Sequence, residues 1–311
     1  MAVSGSKNYS ITGANIIAAA LRKIGVYDQG ETIPGDETAA ALVALNLMVK
    51  EWVARGIDLF LRDEITLFLQ PDQKSYAIGT ANSTRTITGE TTLSAAEASG
   101  QTVISVTSST GMTAADVVGL KMDDDTIHWT TIVSVDSTTQ ITITDATDDD
   151  AASGKKVYAY TTAAGRPQKV VSAYRRDKND IDTQMTMIGE EEYRQQTNKG
   201  AKGPPIQAWY QPTLTTGTLY VWPVDGGANV DKIVLSVQYL PDDFDSTADS
   251  PEFPIEWGNV LVWSLAAELA SEYGLPEQEQ SRLWSTSEFK LKELLDYDVE
   301  NASVEFVLDV E

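Results

Sequence analysis

Trp257-Gly258-Asn259-Val260-Leu261-Val262-Trp263-Ser264-Leu265-Ala266-Ala267-Glu268-Leu269-Ala270 decides the architecture, because a segment this apolar needs partners on more than one side. Val260, Leu261, Leu265 and Leu269 recur at helical spacing, and Trp257 and Trp263 add large apolar area. Pro254, just ahead, suits a first helical position. Glu272-Tyr273-Gly274-Leu275-Pro276 then closes this helix and opens another, whose stripe is Leu283, Trp284, Leu291, Leu294 and Leu295. A hairpin of two helices cannot bury both stripes by itself.

The missing partner lies at the other end of the chain. Thr12 is an N-cap for a helix with Ile17, Leu21 and Ile24 on one face and Ile16 and Ala20 beside them; Gly25 stops it. A second helix opens after Pro34-Gly35-Asp36, carries Leu42, Leu45, Val49, Trp52 and Val53, and ends at Gly56. Two hairpins that each lack a partner predict one four-helix layer built from both chain ends.

Between them the apolar period changes from 3.6 to two. Residues 84–162 read as an inserted small β-barrel or sandwich domain, with strands at Thr102–Val106, Val117–Met122, Thr126–Val135, Gln140–Thr144 and Lys156–Thr161. Turn-forming runs separate them, among them Asp123-Asp124-Asp125 and Asp136-Ser137-Thr138-Thr139. Outside the insertion, Ile65–Leu69 reads as a strand. Gln207–Tyr210 and Thr218–Trp222 read as a hairpin, and Ile233, Leu235, Val237 and Tyr239 share one strand face. The expected fold class is therefore α+β. Its parts are an N-terminal hairpin (1–60), a β-rich middle (61–83 and 163–250), the insertion (84–162), C-terminal helices (251–300) and a terminal strand (301–311).

Composition narrows the chemistry. The 311 residues contain no cysteine and one histidine, His128, which excludes thiol nucleophiles, disulfides and multi-histidine metal sites. His128 sits in an alternating strand pattern and reads as a cross-strand residue. No phosphate-binding glycine loop, GxSxG or HExxH occurs. The aspartate runs 123–125 and 148–150 lack calcium-loop spacing and read as solvated turns. Glu190-Glu191-Glu192 reads as a solvated helix start. The expectation is a non-enzyme without cofactor or metal. No run approaches a membrane span and the start lacks a signal-peptide pattern, so a soluble protein made and kept in a cytoplasm is expected.

Charge is uneven. The formal net charge is −23, and residues 251–311 carry 14 acidic and 3 basic side chains. That balance opposes gripping DNA, whose phosphates attract Lys and Arg. It serves solubility, or a surface that DNA passes without sticking. The one locally basic stretch, 163–202, offers Arg166, Lys169, Arg175, Arg176, Lys178, Arg194, Lys199 and Lys202 either to nearby acids or to an acidic neighbour. Val304, Phe306, Leu308 and Val310, with Val307 between them, form a terminal strand. It pairs with its own sheet or adds to a neighbour's sheet edge, and is the tentative partner interface.

Three stretches carry a resemblance. Ile16 to Val26 with the Gly30-Glu31 turn, Pro34 and Glu51-Trp52-Val53-Ala54-Arg55-Gly56 resemble the N-terminal hairpin of head-to-tail adaptors of short-tailed bacteriophages, also called tail accessory or packaged-DNA stabilisation proteins. Gly203-Pro204-Pro205-Ile206 through Gly217-Thr218-Leu219-Tyr220-Val221-Trp222-Pro223, and Phe253-Pro254-Ile255-Glu256-Trp257 through Pro276, resemble longer members of that group. The insertion 84–162 departs from the short form. The resemblance implies a structural virion protein at the head-tail junction: a homo-oligomeric ring of twelve copies docked on the portal protein. Such a ring extends the DNA channel, retains packaged DNA without specific binding and offers a platform to downstream tail or nozzle proteins. The inserted domain is expected to project outward, so that its deletion leaves the ring intact. The alternative is a tail or fibre component whose β-domain binds host surface glycan. Trp129, Tyr158 and Tyr160 would stack on sugars there if exposed, against the plainer expectation that they fill the barrel core.

Overall fold

The computed structural model describes residues 9–57, 61–79, 82–227 and 230–297. The protein is α+β, and the chain divides into two compact units, residues 1–61 with 240–311, and residues 62–239. Its helices are α1 (Gly13–Lys23), α2 (Gly35–Ala54), α3 (Glu190–Gln195), α4 (Trp257–Glu272) and α5 (Glu277–Tyr297).

In the first unit α1, α2, α4 and α5 share one continuous apolar core, so the expected bundle from both chain ends is present. α4 is its centre. Trp257, Val260, Leu261, Val262, Leu265, Ala266 and Leu269 are all buried, as an all-round apolar helix requires. The Trp52 and Trp257 rings meet with centroids 5.8 Å apart. Thr12 caps α1 by accepting from the Asn15 amide at 3.4 Å. Three helices end by the same device, with the Gly25, Gly56 and Gly274 backbones at φ +74°, +81° and +65°. After α1, Gly25 N–H donates to Arg22 and Val26 N–H to Leu21; after α4, Gly274 donates to Ser271 and Leu275 to Ala270. These paired bonds satisfy the last-turn carbonyls, and glycine takes the left-handed conformation without steric cost.

Two details differ from the expectation. Pro254 is not the first residue of α4: Glu256 is the N-cap, and Pro254 accepts from the Trp257 amide at 3.0 Å in the turn before it. Trp284 is largely exposed, because it lies one helical step from the buried Leu283. Residues 241–249, which lack periodicity, hold the bundle by polar contacts. Asn46 and Phe244 exchange two hydrogen bonds, of 3.0 and 2.9 Å. The carbonyls of Thr247 and Asp249 accept from Ala14 and Gly13, satisfying amides that open α1.

Among the described residues, the second unit holds fourteen strands in two sheets. They are β1 (Arg62–Phe68), β2 (Ser75–Ile78), β3 (Ser83–Thr84), β4 (Gly89–Thr92), β5 (Val103–Ser105), β6 (Val117–Lys121), β7 (Ile127–Ser137), β8 (Gln140–Ile143), β9 (Lys156–Tyr160), β10 (Lys169–Asp177), β11 (Asp182–Met187), β12 (Gln207–Pro212), β13 (Gly217–Trp222) and β14 (Val230–Gln238). The larger sheet runs β2-β13-β12-β11-β10-β14-β1-β3. Its pairs are antiparallel except β11 with β12, whose connection contains α3. The alternation in β14 is realised as expected: Ile233, Leu235 and Val237 are fully buried.

The smaller sheet runs β4-β9-β6-β7-β8-β5. A bridge between Leu93 and Val106 brings its two outer strands together, flanked by Thr107 N–H to Thr92 O and Ser94 N–H to Ser105 O. The insertion is thus a nearly closed six-stranded barrel, which leaves little open edge. Leu93, Ile104, Val118, Leu120, Ile132, Ile141 and Val157 fill its interior.

Candidate functional site

The polar residues singled out from sequence are engaged in structural pairs. His128, on β7, places Nδ1 3.1 Å from Asp148 and Nε2 3.3 Å from the Asp145 carbonyl. Lys155 lies 3.7 Å from Asp123 and 3.2 Å from Asp125. The Thr126 hydroxyl and amide both donate to Asp124, holding its carboxyl below the usual range. Glu190, Glu191 and Glu192 open α3 and Glu192 accepts from the Gly189 amide, completing a capping contact. Among the described residues no cluster of three or more His, Asp or Glu groups has metal-binding geometry.

Part of the basic stretch is paired within the chain as well. Arg176 grips Asp182 through two hydrogen bonds of 2.7 Å, Arg194 pairs with Glu190, Lys202 with Asp72, and Arg175 donates to the Pro205 carbonyl. Trp129, Tyr158 and Tyr160 neither fill the barrel interior nor offer an open stacking face. They gather round Phe68 of β1, with centroids 5.1, 4.7 and 6.3 Å from that ring. Sequence places Phe68 and these three far apart, so their meeting was not legible. The interface residues Val304, Phe306, Val307, Leu308 and Val310 lie outside the described residues.

What remains uncovered is on the helical unit. Val43 and Leu47 on α2 are 60% and 66% exposed. With Ala40, Ala44 and Met48 they floor a groove of about 420 Å³ rimmed by Glu51, Glu268 and Glu272. Burial raises the Glu268 pKa, and Glu51 and Glu272 add to the rise while Arg55 opposes it. On α4, Glu272 and Trp263 are nine residues apart, or about 180° around a helix of 3.6 residues per turn. The Trp263 side is cationic: Lys23 of α1 lies 4.6 Å and Lys290 of α5 5.9 Å from the centre of the Trp263 ring. Arg22 is exposed in the same last turn of α1, a helix that carries no acid. Glu256, the N-cap of α4, and Glu293, one turn after Lys290 on α5, line the same hollow as Lys290, so acids share that side with the cations. Sequence periodicity did not single out Val43 and Leu47, because α2 is apolar on several sides and only the placement of α4 decides which is left bare.

No family model and no curated protein matches the chain. Among solved structures the chain is similar to VP17, a capsid protein of bacteriophage P23-77, at 12% identity and a TM-score of 0.12, over 61% of this chain and 77% of that one. A likeness that low carries no argument about fold or function. Among the described residues no helix is long and apolar enough to cross a membrane.

Proposed function

We propose that the protein is a structural virion component, a ring-forming head-to-tail connector that docks on a portal and extends the DNA channel. The observation that carries the reading is the helical unit: residues before β1 and after β14 build one bundle, the parts that hold two of the three stretches resembling head-to-tail adaptors. Two unlike faces on opposite sides of α4 suit a subunit that meets neighbours on both sides. The charge of −23 suits a conduit that DNA must traverse without being gripped.

In this reading the twelve-copy ring, the retention of packaged DNA and the platform for later tail proteins follow from the connector role, at the head-tail junction. Negative-stain microscopy of the purified protein, alone and with portal rings, tests it. The expected result is a second ring stacked on the portal. Portal rings that stay bare at saturating protein would refute it.

A further inference from the structure

We infer that the acid-rimmed groove of α2 and α4 is a docking site for a second copy of this chain, and that it receives the Lys23–Trp263–Lys290 face. The groove itself restricts what can occupy it. Its floor is apolar and its rim holds Glu51, Glu268 and Glu272; Arg55 pairs with Glu51 at 2.6 Å, which leaves Glu268 and Glu272 as the acids without that partner. A twofold contact of groove on groove would bring two such rims together, which like charges oppose. The segment 303–311 carries Glu305, Asp309 and Glu311, so its charge opposes the same site. The occupant has to bring apolar surface and cations together.

The helical unit presents that combination on its other side. Trp263, partly buried against the helical core, has Lys23 and Lys290 over its ring, and Arg22 is exposed in the same last turn of α1. Cations therefore outnumber acids at the ring itself, while Glu256 and Glu293 stand beside Lys290. Because Trp263 and Glu272 point in opposite directions from α4, one copy cannot satisfy its own groove. The contact is therefore head-to-tail: each copy gives one face and accepts the other. Contacts of this kind run on until rotation closes them into a ring, or else make filaments. The inference deepens the connector reading and rests on it for closure alone; the contact itself rests on the two faces.

The chain has no cysteine, so a single Leu47→Cys variant carries one benzophenone maleimide at the groove floor and nowhere else. Irradiation of that full-length protein, alone and on portal rings, is followed by peptide mapping of the products. The expected product joins residue 47 of one copy to peptides of a second copy containing Lys23, Trp263 or Lys290. Adding Glu272→Lys should cut that product about fivefold, and Lys23→Glu in the same chain should restore it. Capture of a second copy through its own α2, of residues 303–311, or of the portal subunit would overturn the inference, as would no capture up to the solubility limit in either sample. Microscopy of the same samples separates the two ideas. Rings without the expected product would sink the contact and leave the connector reading, whereas the product with open filaments would do the reverse.

Discussion

Gly119 of β6 faces Trp129 of β7 across the barrel sheet, and the indole lies flat over the glycine. A Cβ at 119 would stand 2.5 Å from the ring, far inside contact distance, with no flexible side-chain end to give way. Gly119→Ala should therefore push Trp129 away from Phe68 and Tyr160, at a cost of about 1–3 kcal/mol. Near-ultraviolet circular dichroism reads the aromatic cluster directly; an unchanged spectrum and melting point would contradict the account. Glu268 makes a prediction of opposite sign. The folded protein holds its carboxyl above the ordinary value, chiefly through burial, so the charged form opposes folding. That opposition is full at neutral pH and fades as pH falls through the raised value. Glu268→Gln should raise the melting temperature at pH 7 by up to about 2 °C, a small shift because the group is only partly buried. The gain over wild type should vanish near pH 4; a gain that persists there would count against it.

At the level of elements, the barrel is fastened to the larger sheet by more than its two connecting strands. Phe68 stands in the aromatic cluster, Gln70 exchanges hydrogen bonds of 2.9 and 2.8 Å with Ile127, and the buried Lys232 of β14 reaches Glu90 of β4 at 2.8 Å. Removing residues 84–162 thus strips the cover from Phe68 and takes Glu90 from Lys232, leaving that cation the longer 3.9 Å contact with Asp180, which is costly. The plain deletion should lose several kcal/mol of stability. A deletion that also carries Phe68→Thr and Lys232→Thr should recover much of it in urea titrations; equal midpoints for the two would refute the coupling. Much of this layout was legible in the sequence. Helix stops at Gly25, Gly56 and Gly274 and alternation in β6, β7, β9 and β14 are local signals, decided by backbone sterics and by one buried face. The strand β4 was not legible, since Gly89-Glu90-Thr91-Thr92 has no apolar alternation and is held by its neighbours. Residues 241–249 escaped for a similar reason: apart from the buried Phe244 they act mainly through backbone groups, which every residue owns. The candidate surface was least legible of all. Val43 and Leu47 differ from Leu45 and Val49 only in what α4 happens to cover.

For the whole molecule, charge sets the terms on which copies meet. Each carries −23, so approaching copies repel over the screening length, about 30 Å at 0.01 M salt and about 8 Å at 0.15 M. The facing groups of a docked groove would sit within that shorter distance and lose less. Assembly measured by sedimentation velocity should rise from 0.01 M to 0.15 M salt and decline again towards 1 M, where the contact itself is screened. A monotonic fall from the lowest salt would show that long-range repulsion is unimportant. The bundle has one more consequence, and it concerns time. The ribosome finishes α2 at Ala54 and does not begin α4 until Trp257, roughly 200 residues later. At about 5–20 residues per second that is roughly 10–40 s during which the first hairpin exists without the helix that covers it. The second unit is threaded between them, and its central strand β14 is itself made only at Val230–Gln238, shortly before α4. Until α4 emerges, Ile16, Leu21, Leu45 and Trp52 are open to whatever apolar surface the cell supplies, and chaperone dependence during synthesis should concentrate there.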